Sequence, residues 1–299
     1  MVTKHTEQSI CFRAGVAADY EQIKEMTRDI WGGDDYLPKV WHEWVAVPNS
    51  LLQVGTIGDG IVATGRVVEL MPGNWWLEGL RVNPVHQGKG LATHLHNHLV
   101  ALALQQPGIR TLGLATSWEN EKVAYLARGS GMTMRGDYRL FKGSALPEPI
   151  TNVTPLEGAT IAELIERLRA GRWLTLSDGY AMDGWVARPM DEAWLEEIIA
   201  AGGCWRCGEA LALTGGGSHH DQSWLYLFDG GDEPQQSALI HHARHLAYLR
   251  DPASHLRCFA PSDEAFAYPL LAAGMHDPWD GDEGEFHVYH FVRDVKRET

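Results

Sequence analysis

The apolar positions of this chain alternate between strand-like runs and helical stripes. Ile10-Cys11-Phe12-Arg13 reads as a strand, and Ala17 to Met26 follows with apolar spacing near the helical period. Residues 51–56 and 61–70 read as two strands around Gly58-Asp59-Gly60, a hairpin turn signal. A third strand covers 74–82. The stripe from Leu91 to Leu104 predicts a helix, which Pro107-Gly108 stops. Strand 110–116, helix 119–129 and strand 137–142 complete a mixed α/β unit. Residues 143–156 carry Pro147, Pro149 and Pro155 among small and polar neighbours and read as a linker. Helices follow at 157–170 and 190–201, strands at 208–214 and 223–229, and a helix at 235–250.

The second half echoes the first. Phe266 to Met275 repeats the pattern of Val123 to Met132. Each segment follows a strand (256–260 and 111–116) and precedes a closing strand (285–293 and 137–142). A tandem pair of related α/β domains, 1–145 and 157–299, is the simplest reading.

One junction carries chemistry. The strand ending Leu80-Arg81-Val82 runs through Gln87-Gly88-Lys89-Gly90 into a helix opening Leu91-Ala92-Thr93. Such a turn leaves several backbone N–H groups in front of a helix N-terminus. Free donors and the helix dipole both attract negative charge, so the spot favours a diphosphate. Gly88 and Gly90 have no side chain to keep a ligand from the backbone. The corresponding place in the second half reads Asp229-Gly230-Gly231-Asp232-Glu233-Pro234. Its carboxylates would repel a diphosphate, so only the N-terminal half is expected to hold one.

The run Gln87-x-x-Gly90-x-Ala92 resembles the acyl-CoA pyrophosphate loop of GNAT-fold acetyltransferases. Asn120, Leu126, Gly131 and Met132 resemble the family's next segment. The chain departs at Ala127, where the family often carries a tyrosine that protonates the leaving thiolate; Tyr125 lies on another side of the helix. Ile30 to Pro38 with Trp41-His42 and Trp44, Leu77 to Val82, and Ser223 to Leu227 resemble the histidine N-acetyltransferase group. The resemblance implies a GNAT fold, a mixed central sheet flanked by helices, followed by a degenerate second GNAT-like domain. It implies acetyl-CoA as cosubstrate, held by Leu80, Arg81, Val82, Gln87, Gly88, Lys89, Gly90, Leu91, Ala92, Thr93 and Asn120. The acceptor it implies is the primary amine of a small metabolite, histidine or a related amino acid. A polyamine, an aminoglycoside, an amino-sugar conjugate, or a lapsed CoA-binding sensor are the other readings.

Acetyl transfer to an amine needs a deprotonated nucleophile, a polarised thioester carbonyl, a stabilised oxyanion and a protonated leaving group. In the family the acyl chain lies between two splayed strands, here 76–82 and 111–116, and a backbone N–H near Leu80 or Arg81 would bind the thioester oxygen. The two-residue period puts Glu78 on the face of Leu80 and Val82, where apolar neighbours would raise its pKa and fit it as the base. Tyr36, Tyr125, Tyr138 or a water would supply the acid. Asp34, Asp35 and Tyr36 follow two glycines and either line the acceptor site or cap a helix. An amino-acid carboxylate would need a cation, from Arg13, Arg81 or Arg139.

Composition narrows the class. The 299 residues are 44% hydrophobic, include twelve Trp, and carry a net charge of −14. That balance argues against nucleic acid and anionic membranes as partners and suits a cationic amine. No apolar run spans a bilayer and no apolar leader opens the sequence, so a cytoplasmic enzyme is expected, its oligomeric state open. Four cysteines are too few for a disulfide framework. Cys204-Trp205-Arg206-Cys207 has metal-ligand spacing with His219-His220 beyond it, but no second cysteine pair exists and no metal is expected. His94, His96 and His98, like His241, His242 and His245, read as solvent-facing or core histidines.

Overall fold

A computed structural model describes residues 10–216, 222–276 and 286–295. In chain order the first elements are β1 (Cys11–Ala14), α1 (Tyr20–Thr27), α2 (Leu37–Ala46), β2 (Ser50–Ile57), β3 (Gly60–Met71) and β4 (Asn74–Val82). Then come α3 (Leu91–Leu104), β5 (Thr111–Ser117), α4 (Glu121–Gly129), β6 (Thr133–Ser144) and β7 (Thr154–Pro155). The later part holds α5 (Ile161–Ala170), α6 (Arg172–Leu176), β8 (Tyr180–Asp183), β9 (Val186–Pro189), α7 (Glu192–Ala200), β10 (Cys204–Cys207) and β11 (Ala210–Gly215). It closes with β12 (Ser223–Asp229), α8 (Glu233–Arg250), β13 (His255–Pro261), α9 (Glu264–Ala272) and β14 (His287–Asp294).

The chain forms two compact units that a single cut does not separate. The first takes residues up to Leu114, then Tyr125–Thr133 and the segment from Val292; the second takes Ala115–Ala124 and Met134–Phe291. Strands β5, β6 and β14 and helix α4 each contribute to both units, which is why the boundary differs from the expected 145/157 division. Residues 143–156 are not a free linker. Thr154–Pro155 pair with β10, and the Ala145 and Leu146 N–H groups donate to the Ser254 and Arg244 carbonyls.

In the first unit β1, β2, β3 and β4 run antiparallel in that order, and β5 joins β4 in parallel. Ile23, Met26, Leu37, Trp41 and Trp44 of α1 and α2 pack with Leu52, Val54 and Ile61 of the sheet. Helix α3 buries Leu95 and Leu99, and a side chain at Gly65 would press on Leu99. Two features of β4 shape the space before α3. Its pairing with β5 covers Asn74↔Thr111 to Trp76↔Gly113 and, among the described residues, no further position, so the strands part. Against β3 it carries a bulge: Arg66 faces Glu78, Thr64 faces Arg81, and Gly65 alone opposes Gly79 and Leu80.

The bulge requires a glycine. Gly79 has φ of +67°, and a Cβ there would lie 2.5 Å from Cζ3 of Trp44. It also corrects the strand's parity. Glu78 and Arg81, rather than Glu78 and Leu80, share a face, and that face meets α2.

The second unit repeats the order strand, helix, strand, helix, strand as β12-α8-β13-α9-β14. Its strands run β6-β13-β12-β11-β10-β7, with β8 and β9 as a separate hairpin. The parallel pair β12 and β13 is joined at Ser223↔Leu256 and Trp224↔Arg257 and then parts, as β4 and β5 do. Here the opening is filled. Helix α6 packs on β12 and β13, and its fully buried Trp173 lies 5.3 Å from the Phe228 ring and 4.7 Å from the Phe266 ring. The Asp229 carboxylate accepts backbone N–H groups of Trp173 and Arg172 at the start of α6 and of Gly230 at the junction itself, and burial pushes its pKa up. No helix among the described residues is long and apolar enough to cross a membrane.

Candidate active site

The junction before α3 is held at its root. The Asn83 N–H donates to the Val62 carbonyl (2.9 Å), and the Asn83 side chain accepts the Val85 N–H (3.1 Å). The backbone then turns left-handed twice, at Gly88 (φ +76°) and at Gly90 (φ +75°), the N-cap of α3. A Cβ at either glycine would meet no atom within 4 Å, so these positions need glycine for conformation, and the space around them is open. Among the described residues, none of the N–H groups from Gly88 to Thr93 donates to a carbonyl; His94 is the first, to Gly90 (3.1 Å). Six donors at a helix N-terminus can hold an anion through the backbone alone.

Beside this row β4 presents two ion pairs. Glu78 Oε1 accepts from Arg66 Nε at 2.7 Å and lies 2.6 Å from Arg66 Nη2. Arg81 Nε donates to Asp35 Oδ2 at 2.7 Å and Nη2 to Oδ1 at 3.3 Å. Asp35 is nearly inaccessible, and its Oδ1 also accepts the Leu37 N–H (3.0 Å), which fixes the start of α2. Aromatic rings bracket both cations. Arg66 lies 3.7 Å from the Trp44 ring centre, and Arg81 lies 4.4 Å from that of Trp31 and 5.3 Å from that of Tyr36. Tyr36 bridges the two groups, 6.3 Å from Trp31 and 6.0 Å from Trp44. Burial pushes the Tyr36 phenol up to about 12; Arg81 opposes the rise, while the Glu78 and Asp35 charges add to it. Tyr36 therefore stays a proton donor at neutral pH.

Comparison with known proteins agrees with this geometry. Residues 20–132 match the model of the Acetyltransferase (GNAT) family. This segment is a GNAT acetyltransferase domain. The human protein named "Probable N-acetyltransferase 16" is 31% identical over 105 residues, 34% of this chain and 28% of that protein. The histidine N-acetyltransferase of Oreochromis niloticus is 32% identical over 88 residues, 29% of this chain and 26% of that protein. The alignments thus span little more than a quarter of those relatives. Over nearly the whole chain the fold is that of a GCN5-related N-acetyltransferase from Sphaerobacter thermophilus (TM-score 0.62, 15% identity, 96% of each chain). A tandem GNAT protein from the clavulanic acid biosynthesis pathway shares it too (TM-score 0.55, 11% identity, 97% of this chain and 100% of that one).

Within the GNAT domain the structure brings together Glu78, Arg81, Asp35 and Tyr36 on one face. Asp34 lies outside this group, exposed and paired with Lys39 at 2.9 Å. Asp35 takes the helix-capping role and has its charge answered by Arg81, so neither aspartate is free for an amine. Glu78 sits in an ion pair rather than among apolar side chains alone. Tyr125 is 73% exposed. Tyr138 is fully buried in the second unit, its phenol pushed far up by desolvation, and has no access to a ligand. Asn120, also of the second unit, uses its side chain on the Val123 N–H (3.3 Å) as a cap for α4. Of the proposed carboxylate anchors, Arg13 is held by Asp19 (2.7 Å), Arg81 by Asp35, and Arg139 lies over Phe141 in the second unit. Sequence reasoning missed Arg66 and Trp44. The Pro72-Gly73 turn signals a hairpin, but Arg66 comes opposite Glu78 only through a register shift between Glu69 and Met71 that no residue pattern marks.

The metal candidates disperse. Cys204 and Cys207 are three positions apart on strand β10 and so face opposite ways; His219 and His220 lie outside the described residues. Among the described residues no three His, Cys, Asp or Glu side chains group to hold a metal. His96 bonds Ser130 (3.0 Å) and His98 bonds Gln53 (3.1 Å), with burial lowering the pKa of each.

Proposed function

We propose that the protein transfers an acetyl group from acetyl-CoA to the primary amine of a small metabolite, histidine or a related amino acid. The observation that carries this is the open row of N–H donors from Gly88 to Thr93, set where β4 leaves β5. The row fits a diphosphate. Its donors are unspent, its glycines leave the space clear, and Lys89 adds a cation. Gln87, Gly88, Lys89, Gly90, Leu91, Ala92 and Thr93 would grip the coenzyme's diphosphate, chiefly by backbone. Leu80, Arg81 and Val82 would flank the acyl arm, Arg81 through its main chain because its guanidinium is engaged by Asp35. Relatives named histidine N-acetyltransferase support the acceptor class.

Acetyl-CoA supplies a thioester carbonyl that an amine nitrogen attacks, the new C–N bond forming as the C–S bond breaks. A main-chain N–H near Leu80 would stabilise the oxyanion. Glu78 would take the amine's proton, directly or through water; Arg66 orients it and keeps its negative form compensated. Tyr36, protonated at working pH, would return a proton to the thiolate sulfur.

Glu78→Gln is expected to lower kcat about 100-fold while acetyl-CoA affinity stays within about twofold. The loss should be largest at low pH, where unassisted free amine is scarcest. Thiol release across a panel of free amino acids, polyamines and amino sugars measures both rate and acceptor. Equal turnover of Glu78→Gln would remove this residue from the reaction; no release from any amine would leave a CoA-binding protein without transfer.

A further inference from the structure

We propose that the outward face of the Trp31 indole is the platform on which the acceptor's side chain lies, and that it selects a neutral planar ring, imidazole above all. The inference rests on the acetyl-transfer reading and names what decides its acceptor.

Trp31 does not serve the core. The other tryptophans of the first unit, Trp41, Trp44, Trp75 and Trp76, are exposed by 5% or less, whereas Trp31 is 64% exposed. It also sits in a conformation that its side chain disfavours. Trp31 has φ of +51°, and Gly32 (+67°) and Gly33 (+95°) continue the left-handed run. A bulky residue held there is strained, and such strain persists where the surroundings fix it for a purpose. The surroundings here are plain. Arg81 lies under one face of the indole at 4.4 Å, itself clamped by Asp35, and the Tyr36 ring stands within 22° of parallel. The indole is thus held by the protein through Arg81 and Tyr36 while most of its surface stays open to solvent. The same chain of contacts runs on through Tyr36, Trp44 and Arg66 to Glu78, so the platform belongs to the group that would receive the amine.

The cation beneath the ring sets the preference. An aromatic face attracts positive charge through its quadrupole, and the Arg81 guanidinium already uses that attraction from below. A second full cation stacked above would find that attraction already engaged. A neutral ring does not rely on that attraction, and offset stacking favours such a ring over a branched or flexible aliphatic chain. Above its own pKa a histidine side chain is such a ring; an alkylammonium is not.

The test uses the full chain, with L-histidine, L-phenylalanine, L-valine and L-lysine as acceptors at pH 8 and thiol release as readout. Trp31→Gly keeps the turn, since glycine takes this φ freely, and removes only the ring; Trp31→Phe restores a smaller one. The wild type is expected to favour histidine and phenylalanine. Trp31→Gly should cost these two about tenfold in kcat/KM, through KM, and leave valine and lysine within about twofold. Trp31→Phe should recover most of the loss. Wild-type preference for valine or lysine, or an equal effect of Trp31→Gly on all four or on none, would overturn the platform while transfer itself stands. Absence of thiol release from any acceptor in the wild type would overturn the transfer reading, and the platform with it.

Discussion

Gly90→Glu should abolish acetyl-CoA binding, weakening it at least about 100-fold, in a protein that still folds. Gly90 is the N-cap of α3, has φ of +75°, and stands in the middle of the unspent donors. A glutamate there brings a carboxylate to the spot reserved for a diphosphate. Its charge repels the ligand, and its oxygens can take the N–H groups for themselves. The folding cost is about 1 kcal/mol for a side chain in the left-handed region. Gly90→Asn isolates that cost, because asparagine tolerates the conformation and adds no charge; it should retain most of the affinity. Calorimetric titration of both variants, beside their melting curves, separates the effects. Unchanged affinity in Gly90→Glu would place the coenzyme elsewhere.

Gly79→Val is expected to destabilise the first unit by about 3 kcal/mol or more and to remove activity from whatever remains folded. Two independent causes add. The residue's φ of +67° opposes any side chain, and its first carbon would stand 2.5 Å from the Trp44 ring. Trp44 has little room to yield: it is buried in the α1–α2 core, and Arg66 lies flat on it at 3.7 Å. A strand that escaped the clash by losing its bulge would turn Arg81 away from Asp35 and shift the N–H groups near Leu80. Urea denaturation with thiol release on the same samples measures both losses. A Gly79→Val protein within about 0.5 kcal/mol of the wild type would show that the bulge is not held as described.

Much of this was legible in the residues because it is local. The strand-to-helix junction at Gly88 and Gly90 and the helical stripe from Leu91 depend on neighbours a few positions apart, and the structure has these elements where the pattern puts them. Strand β6 runs beyond the expected 137–142 at both ends, since its pairing with β13, more than 100 residues on, carries it to Ser144. What the sequence hid is non-local. Arg66 and Glu78 meet across a hairpin, and a bulge, unmarked except by a glycine, inverts the faces beyond it. Asp35 and Arg81 are 46 positions apart, so nothing in the Gly-Gly-Asp-Asp run shows that one aspartate is claimed and the other exposed. The raised pKa expected at Glu78 followed from strand parity and its apolar neighbours, and the cross-strand arginine replaces that premise with an ion pair. The plug in the second unit escaped for the same reason. The carboxylate at Asp229 was visible, but the helix bringing Trp173 and its N–H groups to it comes from more than 50 residues earlier.

The central claim is that one backbone cradle, before α3, takes the coenzyme, while its counterpart after β12 is closed by Trp173 and Asp229. Titrating acetyl-CoA into the intact wild-type chain in a calorimeter tests it. Saturable binding of one molecule per chain is the expected result; no binding, or two equivalents per chain, would contradict it.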